Sequence, residues 1–407
     1  MEQRQPGPPG RSPAARLALA TVCAAVLAGS PAALAAASAV PAPPTIAAQA
    51  AELLDARTGQ VLYALNPTLE GQPASLAKMM TFDLVLKAIA AGSVTPATMI
   101  PVGVDAWQLS LNQDVSRMYL LPNVPVSLHN LLVGLMVPSG NDAALALADY
   151  FGGSEQGFVA QMNTEAQSLG LQHTMFQTSG GLPANNQYST AADMALLARH
   201  IWSTYPDFTQ YTDIQSFTWN AVTQSNYNAL IGVDPRVNGL KSGYLAESGY
   251  HLVATATSGD TQLIAVVLGT ATMQASADED EKLLDWGFAS YHDAQLDWAA
   301  QLPGTTRVWK GRAVSVGLDV AANPWVTLPG GGQGSAGVRV AARLTAPLTA
   351  PLNRAQPVGS AQVVWQGQTV ESVPILAASA VARGRLLHVA WDAFRLHLNA
   401  LVGHLRL

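Results

Sequence analysis

The chain has 407 residues, of which 49% are hydrophobic and 12% are charged, and its formal net charge is −6. This composition is typical of a folded globular protein with room for two domains, and it excludes a mainly disordered chain. Because the balance is acidic and no tract is rich in lysine and arginine, we expect no nucleic acid partner.

Residues 1–39 have the features of an export signal. The positive n-region contains three arginines: Arg4, Arg11 and Arg16. A short apolar stretch at 17–27 follows, and then an alanine-rich run at 32–39 that offers small-x-small cleavage sites. The alternative is a membrane anchor, which is disfavoured because the apolar stretch is too short to span a bilayer. Cys23 is the sole cysteine and lies inside this signal, so the mature chain cannot use thiol chemistry.

The next region, residues 40–292, is predicted to be one α+β domain. Period-2 patterns predict strands at 51–55, 60–64, 237–245, 250–257 and 262–269. Helical spacing predicts helices at 75–91, across 128–205 with breaks at 138–140 and 179–181, and at 278–291. Strands followed by helices and again by strands indicate an antiparallel sheet with a helical region between its strands.

Two smaller units complete the predicted organisation. Residues 293–377 contain short strand-like segments separated by Gly, Pro and Asn, which predicts a small all-β sandwich. Residues 378–407 are predicted to form an amphipathic helix whose apolar stripe consists of Leu387, Trp391, Phe394, Leu398, Leu401 and Leu405. Because this segment also carries four arginines and one acid, we expect it to lie on a membrane surface. The alternative is a helix that packs on the protein's own body.

The first candidate motif is an S-x-x-K sequence formed by Ser75 and Lys78 at the start of a predicted helix. Residues three apart share one helix face, so the amine can reach the hydroxyl. A serine hydroxyl needs a base to become a nucleophile. A lysine can be that base when burial or a positive neighbour such as Lys241 lowers its pKa. Taken alone the motif is weak, because Ser75 could equally be a helix cap beside a surface lysine.

Two further triplets lie downstream. Ser139-Gly140-Asn141 falls on a break between predicted helices, where a hydroxyl could pass a proton to a leaving amine and an amide could hold a substrate carbonyl. Lys241-Ser242-Gly243 lies on a predicted strand and combines a positive charge, a short hydroxyl and a glycine that permits close approach of substrate backbone. In isolation, a plain helix cap and an exposed edge-strand lysine explain these triplets at least as well.

In this order, S-x-x-K, S-x-N and K-[TS]-G are the signature of penicillin-binding proteins and serine β-lactamases. The chain resembles the low-molecular-mass penicillin-binding proteins, and within them the D-alanyl-D-alanine carboxypeptidases, over about residues 45–375. The likeness extends to segments around and beyond the triplets: 51–55, 73–81, 116–118, 137–144, 176–178 and 187–191. It implies a penicillin-binding/β-lactamase-like catalytic domain, and the closing helix resembles that family's membrane anchor.

The resemblance implies a serine-type D-Ala-D-Ala carboxypeptidase that removes the terminal D-alanine from peptidoglycan pentapeptides at the extracytoplasmic face of a bacterial membrane. Ser75 would be the acylated nucleophile, Lys78 its base and Ser139 a proton relay to the departing D-alanine. The implied substrate-binding residues are Asn141, Lys241, Ser242, Gly243 and Tyr244, with the Ser75 and Tyr244 backbone N–H groups as the oxyanion hole. β-Lactam antibiotics would be covalent inhibitors. No cofactor is implied, and the absence of HExxH and paired CxxC spacings leads us to expect no metal.

Several alternatives stay open at this point. A DD-endopeptidase that cuts peptidoglycan cross-links would carry the same motifs. A class A β-lactamase needs a glutamate after the S-x-N element, and the candidates Glu155 and Glu165 both fall in a helical pattern. A non-catalytic binder is disfavoured because every catalytic side chain is kept, apart from serine in place of the commoner threonine at Ser242. No arginine occurs between Tyr244 and Thr306, so the group that assists Ser242 in holding a carboxylate is open.

Overall fold

The computed structural model describes residues 40–320, 325–330, 337–345 and 347–404, without the side chains of Ala299 and of residues 399–404. The predicted export signal at 1–39 and Leu405 of the predicted apolar stripe lie outside the described residues.

The first part of the described chain contains two strands, then a mainly helical stretch, then five strands and a helix. Its strands are β1 (Ala50–Asp55), β2 (Val61–Leu65), β3 (Met99–Ile100), β4 (Val126–Ser127), β5 (Ser216–Trp219), β6 (Val222–Ser225), β7 (Val237–Leu245), β8 (Gly249–Ser258) and β9 (Thr261–Thr270). Its α-helices are α1 (Lys78–Ala90), α2 (Val104–Leu111), α3 (Leu128–Met136), α4 (Asn141–Gly152), α5 (Glu155–Ser168), α6 (Ala191–Thr204), α7 (Thr209–Thr212) and α8 (Met273–Ser290).

The central element is a five-stranded antiparallel sheet in the order β2-β1-β9-β8-β7. Successive strand side chains point to opposite faces. Leu263 and Val267 of β9 therefore share a core with Leu283 of α8. Ile264 and Val266 share the other core with the helices of the 78–204 region. Both faces are covered, which explains why β9 is apolar at consecutive positions. The order of elements and the antiparallel sheet confirm the predicted α+β class.

In this part the prediction misplaced the start of one helix and missed the short elements between 99 and 111 and between 216 and 225. Helix α8 begins at Met273 and not at 278, because the Thr272 hydroxyl caps it by accepting a hydrogen bond from the Ala275 N–H at 3.0 Å. The first turn contributes no buried apolar side chain, so the periodicity did not reveal this start. The β5–β6 hairpin was not predicted at all.

The second part is built from strands. They are β10 (Tyr291–Gln295), β11 (Thr305–Arg307), β12 (Ser315–Val320), β13 (Trp325–Pro329), β14 (Val338–Leu344), β15 (Pro357–Trp365) and β16 (Gln368–Ala377), with the short helix α9 (Trp298–Gln301) after β10. One sheet has the order β11-β12-β16-β15-β14, and β10 pairs with β13 in a second sheet. Leu328 of the small sheet shares one core with Val363 and Ile375 of the large sheet. Two sheets around a common core confirm the predicted all-β unit.

The chain closes with α10 (Leu386–His404). Helix was predicted from 378, but residues before Leu386 are extended because Val381 is buried and pairs with Leu352. Asp392 fixes the helix to the β unit, since its buried carboxylate accepts a hydrogen bond from the Lys310 N–H at 2.6 Å. Within the described part of the chain, no helix combines the length and apolar character that crossing a bilayer requires.

Candidate active site

Ser75 lies on a sharp turn that leads into α1. The turn is a short 3₁₀ segment, Ala74–Ala77, and Ala74 adopts a left-handed backbone with φ of 51°. An L-residue seldom adopts this conformation, so the surrounding structure must hold it there. Ser75 lies inside this segment and is the N-cap neither of it, which is Pro73, nor of α1, which is Ala77, so the helix-cap alternative does not hold. The Ser75 Oγ instead lies 3.0 Å from Nζ of Lys78, the first residue of α1.

The Lys78 amine is buried and has three polar neighbours. Besides Ser75 Oγ, Nζ lies 2.9 Å from Asn141 Oδ1 and 2.6 Å from the Gly180 carbonyl oxygen. Burial lowers the pKa of Lys78 well below its ordinary value; the charge of Lys241 lowers it further and Asp142 opposes both. A neutral amine has two hydrogens and one lone pair. Asn141 Oδ1 and the Gly180 carbonyl can accept those hydrogens, which leaves the lone pair for the Ser75 hydroxyl proton.

Ser139 sits on the break between α3 and α4. Its backbone is left-handed, with φ of 57°, and its carbonyl oxygen accepts a hydrogen bond from Ser116 Oγ at 2.7 Å. The Ser139 Oγ atom is buried and has no hydrogen-bond partner among the described residues. A strained backbone that holds an unpaired hydroxyl beside a cleft is a common feature of functional sites.

Asn141 begins α4 and connects two parts of the site. Its Oδ1 accepts from Lys78, while its Nδ2 donates to the carbonyl oxygen of Ser116 at 3.0 Å and lies 3.2 Å from Ser116 Oγ. The amide therefore positions the lysine in this arrangement. The substrate-orienting role implied for Asn141 stays a prediction, and a substrate carbonyl would have to share Nδ2 with Ser116.

Strand β7 brings the third motif to the same cleft. The Lys241 side chain is buried, and its Nζ donates to the Ser242 carbonyl oxygen at 2.9 Å. Burial lowers the pKa of Lys241 to about 7. The fixed positive charge expected for Lys241 is therefore pH-dependent near neutrality.

Gly243 allows β7 to lie against the nucleophile turn. A Cβ atom at this position would lie 3.2 Å from both the Pro73 carbonyl oxygen and the Ser75 backbone nitrogen. The close approach that requires glycine is thus between two backbone segments of the protein, in addition to any approach of substrate. A larger residue would push the strand away from Ser75.

The three motifs line one cleft of about 560 Å³. Ser75, Ser139, Asn141, Ser242, Gly243 and Tyr244 all contribute to its walls, whereas Lys78 and Lys241 lie buried behind them. Tyr244 stacks on Tyr250 with ring centroids 4.2 Å apart, and Tyr227 forms part of the wall as well. The structure therefore brings together residues that are 166 positions apart in the sequence, from Ser75 to Lys241.

Sequence reasoning did not assign roles to three residues that organise the site. Ser116 holds Asn141 and Ser139, and the Gly180 carbonyl holds Lys78. The Asp142 carboxylate accepts hydrogen bonds from the Met118 N–H at 2.9 Å and the Leu120 N–H at 3.1 Å, which fixes the loop that carries Ser116. The available signals were the likeness at 116–118 and 137–144, which contain Ser116 and Asp142, and the break at 179–181, which contains Gly180.

The glutamates that a β-lactamase would require are engaged elsewhere. Glu155 Oε1 accepts hydrogen bonds from the backbone N–H and the hydroxyl of Ser179 at 2.9 and 2.7 Å. Glu165 pairs with Lys87 at 2.5 Å. Neither is among the described residues that line the cleft, where the acidic side chain, Asp114, precedes the S-x-N triplet. The requirement for a glutamate after that triplet is not met here.

Comparison with known proteins agrees with this geometry. The family model described as D-alanyl-D-alanine carboxypeptidase matches residues 37–272, and that of the penicillin-binding protein 5 C-terminal domain matches residues 299–383. The chain belongs to the D-alanyl-D-alanine carboxypeptidase family. It is a serine-type D-alanyl-D-alanine carboxypeptidase, a hydrolase.

Individual relatives support this assignment over most of the chain. D-alanyl-D-alanine carboxypeptidase DacC of Escherichia coli is 38% identical, over 86% of this chain and 88% of the relative. The crystal structure of penicillin-binding protein 5 from Haemophilus influenzae is 36% identical, with a TM-score of 0.78 over 84% of this chain and 99% of that one. Penicillin-binding protein D2 from Listeria monocytogenes, solved in its ampicillin-bound form, is 28% identical, with a TM-score of 0.54 over 60% of this chain and 98% of that one.

Proposed function

We propose that Ser75 attacks the carbonyl between the two terminal D-alanines of a peptidoglycan stem peptide. Its Oγ forms an ester with the penultimate D-alanine, and the bond to the terminal D-alanine nitrogen breaks. Water then hydrolyses the ester and releases the shortened peptide. The observation that carries the proposal is the 3.0 Å approach of a buried lysine amine to the Ser75 hydroxyl.

Lys78 acts as the general base for this attack. Burial and the charge of Lys241 both favour the neutral form of its amine, and the two hydrogens of that form have acceptors in Asn141 and Gly180. The free lone pair then takes the Ser75 proton as the ester forms. General-base catalysis of this kind contributes about 10²–10⁴-fold to the rate.

Ser139 passes a proton to the departing D-alanine nitrogen. An amine is a poor leaving group unless it is protonated, and the buried Ser139 hydroxyl has no competing partner among the described residues. Asn141 orients the acyl chain. Lys241 and Ser242 attract the substrate's terminal carboxylate, and the Ser75 and Tyr244 N–H groups form the oxyanion hole. Gly243 keeps β7 close enough to the turn for both donors to face one oxygen.

β-Lactam antibiotics react with the same serine. A β-lactam presents a strained amide at the position of the D-alanyl-D-alanine bond, so Ser75 opens it and remains acylated. The ampicillin-bound form of the Listeria monocytogenes relative supports this part of the proposal.

The enzyme works at the extracytoplasmic face of the membrane, with α10 on the bilayer surface. Residues 1–39 supply the export signal. Leu387, Trp391 and Phe394 are 88, 58 and 57% exposed, while Asp392 ties the opposite side of the helix to the β unit. An apolar face that points away from the protein suits an interfacial helix that lies in the plane of the membrane.

The test is product analysis on a synthetic pentapeptide that ends in D-alanyl-D-alanine. The proposal predicts free D-alanine and a tetrapeptide by mass spectrometry, and no reaction with Ser75→Ala protein. A peptide that stays intact while a cross-linked dimer is cut would identify an endopeptidase. Rapid turnover of penicillin, with the pentapeptide untouched, would identify a β-lactamase.

A further inference from the structure

A second cluster of chemically active side chains lies away from the cleft. Asp83 of α1, Glu165 of α5 and His200 of α6 each offer one ligand atom, and these atoms lie within 4.8 Å of one another. Asp83 follows Lys78 by five residues on the same helix, but none of the three residues lines the cleft. The acyl-transfer mechanism leaves this cluster without a role.

The buried Asp83 carboxylate has no hydrogen-bond donor among the described residues. Its side chain is 0% exposed, and neither oxygen accepts a hydrogen bond from the described residues. Burial and the nearby Glu165 charge raise the pKa of Asp83 to about 7, against the opposing effect of Lys87. Buried carboxylates are normally paired, hydrogen-bonded or bound to a metal ion. An orphaned one that faces a histidine and a second carboxylate therefore points to a cation.

The geometry of the histidine fits a metal ligand. Nε2 of His200 lies 3.3 Å from Asp83 Oδ1, yet neither atom forms a hydrogen bond with the described residues. Two ligands that are each about 2.0–2.2 Å from a tetrahedral ion lie about 3.3–3.5 Å apart. The other ring nitrogen, Nδ1, lies 3.3 Å from Thr204 Oγ1. A proton on Nδ1, donated to Thr204, leaves the Nε2 lone pair free for a metal.

We propose that Asp83, Glu165 and His200 bind one divalent transition-metal ion, for which zinc is the best match. Two carboxylate oxygens and one imidazole nitrogen, with a water molecule as fourth ligand, supply donor types and a coordination number that zinc accepts. Calcium and magnesium prefer six or more oxygen ligands. The ion joins α1, α5 and α6 behind the nucleophile turn, so its effect is on the stability of the catalytic helix and not on bond cleavage.

Lys87 is the competitor for this site. Its Nζ lies 2.5 Å from Glu165 Oε2, and its side chain is 55% exposed. A metal ion must displace this ammonium group, which can move into solvent because the lysine side chain is more than half exposed. Replacing Lys87 by methionine should therefore strengthen metal binding. A purely structural ion pair predicts no such gain.

The spacing of the three proposed ligands in the sequence explains why no metal site was expected. They are separated by 82 and 35 positions, so no spacing pattern connects them. Three helices bring them together only in the folded chain.

The test measures zinc binding to the untagged full chain after treatment with a chelator. We expect one zinc ion per chain by elemental analysis and calorimetry, together with a higher melting temperature. His200→Gln and Asp83→Asn should weaken binding by at least about tenfold, since even the loss of a residue that only supports a metal ligand costs about 10–100-fold. Lys87→Met should strengthen it. His173→Gln is the matched control, because His173 makes a 3.0 Å contact with Glu70 but belongs to no group of three possible ligands among the described residues, and it should bind zinc like the wild type.

Failure of the wild-type chain to bind stoichiometric zinc would overturn the proposal. So would binding that survives in His200→Gln, whose partly exposed ring makes this variant the one best placed to fold if Asp83→Asn does not. Peptide hydrolysis by the metal-free protein at low temperature is expected to continue, so failure of this proposal leaves the Ser75 mechanism untouched.

Discussion

Two regions of the molecule break the usual rule that charged side chains are exposed and apolar ones are buried. One is the cleft, and the other is the apolar face of α10, which consists of Leu387, Trp391, Phe394 and Leu398. The cleft buries two lysines, Lys78 at 0% and Lys241 at 1% exposure. The helix exposes large apolar side chains, with Leu387 at 88%. Lysine is almost never fully buried without a reason, and a contiguous exposed apolar face marks an interaction site.

The two regions differ in what stabilises these unusual side chains. In the cleft, the compensation comes from within the chain, because Asn141, Gly180 and the Ser75 hydroxyl surround the Lys78 amine. On α10, the proposed membrane surface would provide the compensation, since Asp392 ties the polar side of the helix to the protein. We therefore expect substitutions in the two regions to separate chemistry from membrane attachment.

The largest effect is expected for Ser75→Ala. Loss of a serine nucleophile lowers kcat on the order of 10⁶-fold in enzymes of this type, and the side chain is small enough for the fold to survive. Pentapeptide hydrolysis should vanish while liposome binding stays at the wild-type level. Substantial residual hydrolysis by pure variant protein would show that another group attacks the substrate.

Lys78→Ala should slow acylation by about 10²–10⁴-fold, because the general base is removed. In the wild type, the acylation rate should rise with pH as the lysine loses its proton, and burial places this rise below the usual lysine range. Stopped-flow measurement of β-lactam acylation across pH tests both points. A wild-type rate in the variant at neutral pH would mean that Lys78 is not the base.

Substituting Trp391 and Phe394 by serine should weaken binding to anionic liposomes and leave hydrolysis unchanged. Full burial of a side chain of this size contributes about 1.5–3 kcal/mol. High salt should weaken binding further, because each arginine near anionic lipid contributes about 1 kcal/mol. Co-sedimentation and pentapeptide hydrolysis are measured on the same samples. Equal sedimentation of variant and wild type would mean that α10 serves another partner.

Lys241→Gln should produce the smallest and most specific effect. The charge of Lys241 lowers the pKa of Lys78, so its removal should raise that pKa and move the rise of the acylation profile to higher pH. The quantity to compare is the pH at which the acylation rate rises. The rate itself also falls, because the variant loses attraction for the substrate carboxylate. A profile that only scales down, without moving, would show that the two lysines do not interact.

Patterns along the chain predicted much of the fold. The strand at 237–245 was predicted within its observed bounds, because apolar and small residues mark both its faces, and the apolar run at 262–269 identified a buried strand. The start of α10 was misplaced, because Val381 reads as part of a helix but packs in the β unit. Local patterns do not report such long-range pairing.

The sequence predicted those residues of the candidate site that belong to a motif. Ser75, Lys78, Ser139, Asn141 and Lys241 stand in recognisable triplets. The Gly180 carbonyl has no side chain to signal its role, and Ser116 acts through a loop whose path Asp142 sets. Neither position follows from spacing, because backbone acceptors and loop contacts arise only when distant segments meet.

The most direct test of the central claim is the site of covalent modification by penicillin. The intact protein is incubated with the antibiotic, digested and analysed by tandem mass spectrometry, with Ser75→Ala as the control. We expect one penicilloyl group per chain, on the peptide that contains Ser75, and none in the control. An adduct on another residue, or unmodified Ser75 in folded protein at saturating antibiotic, would contradict the central claim.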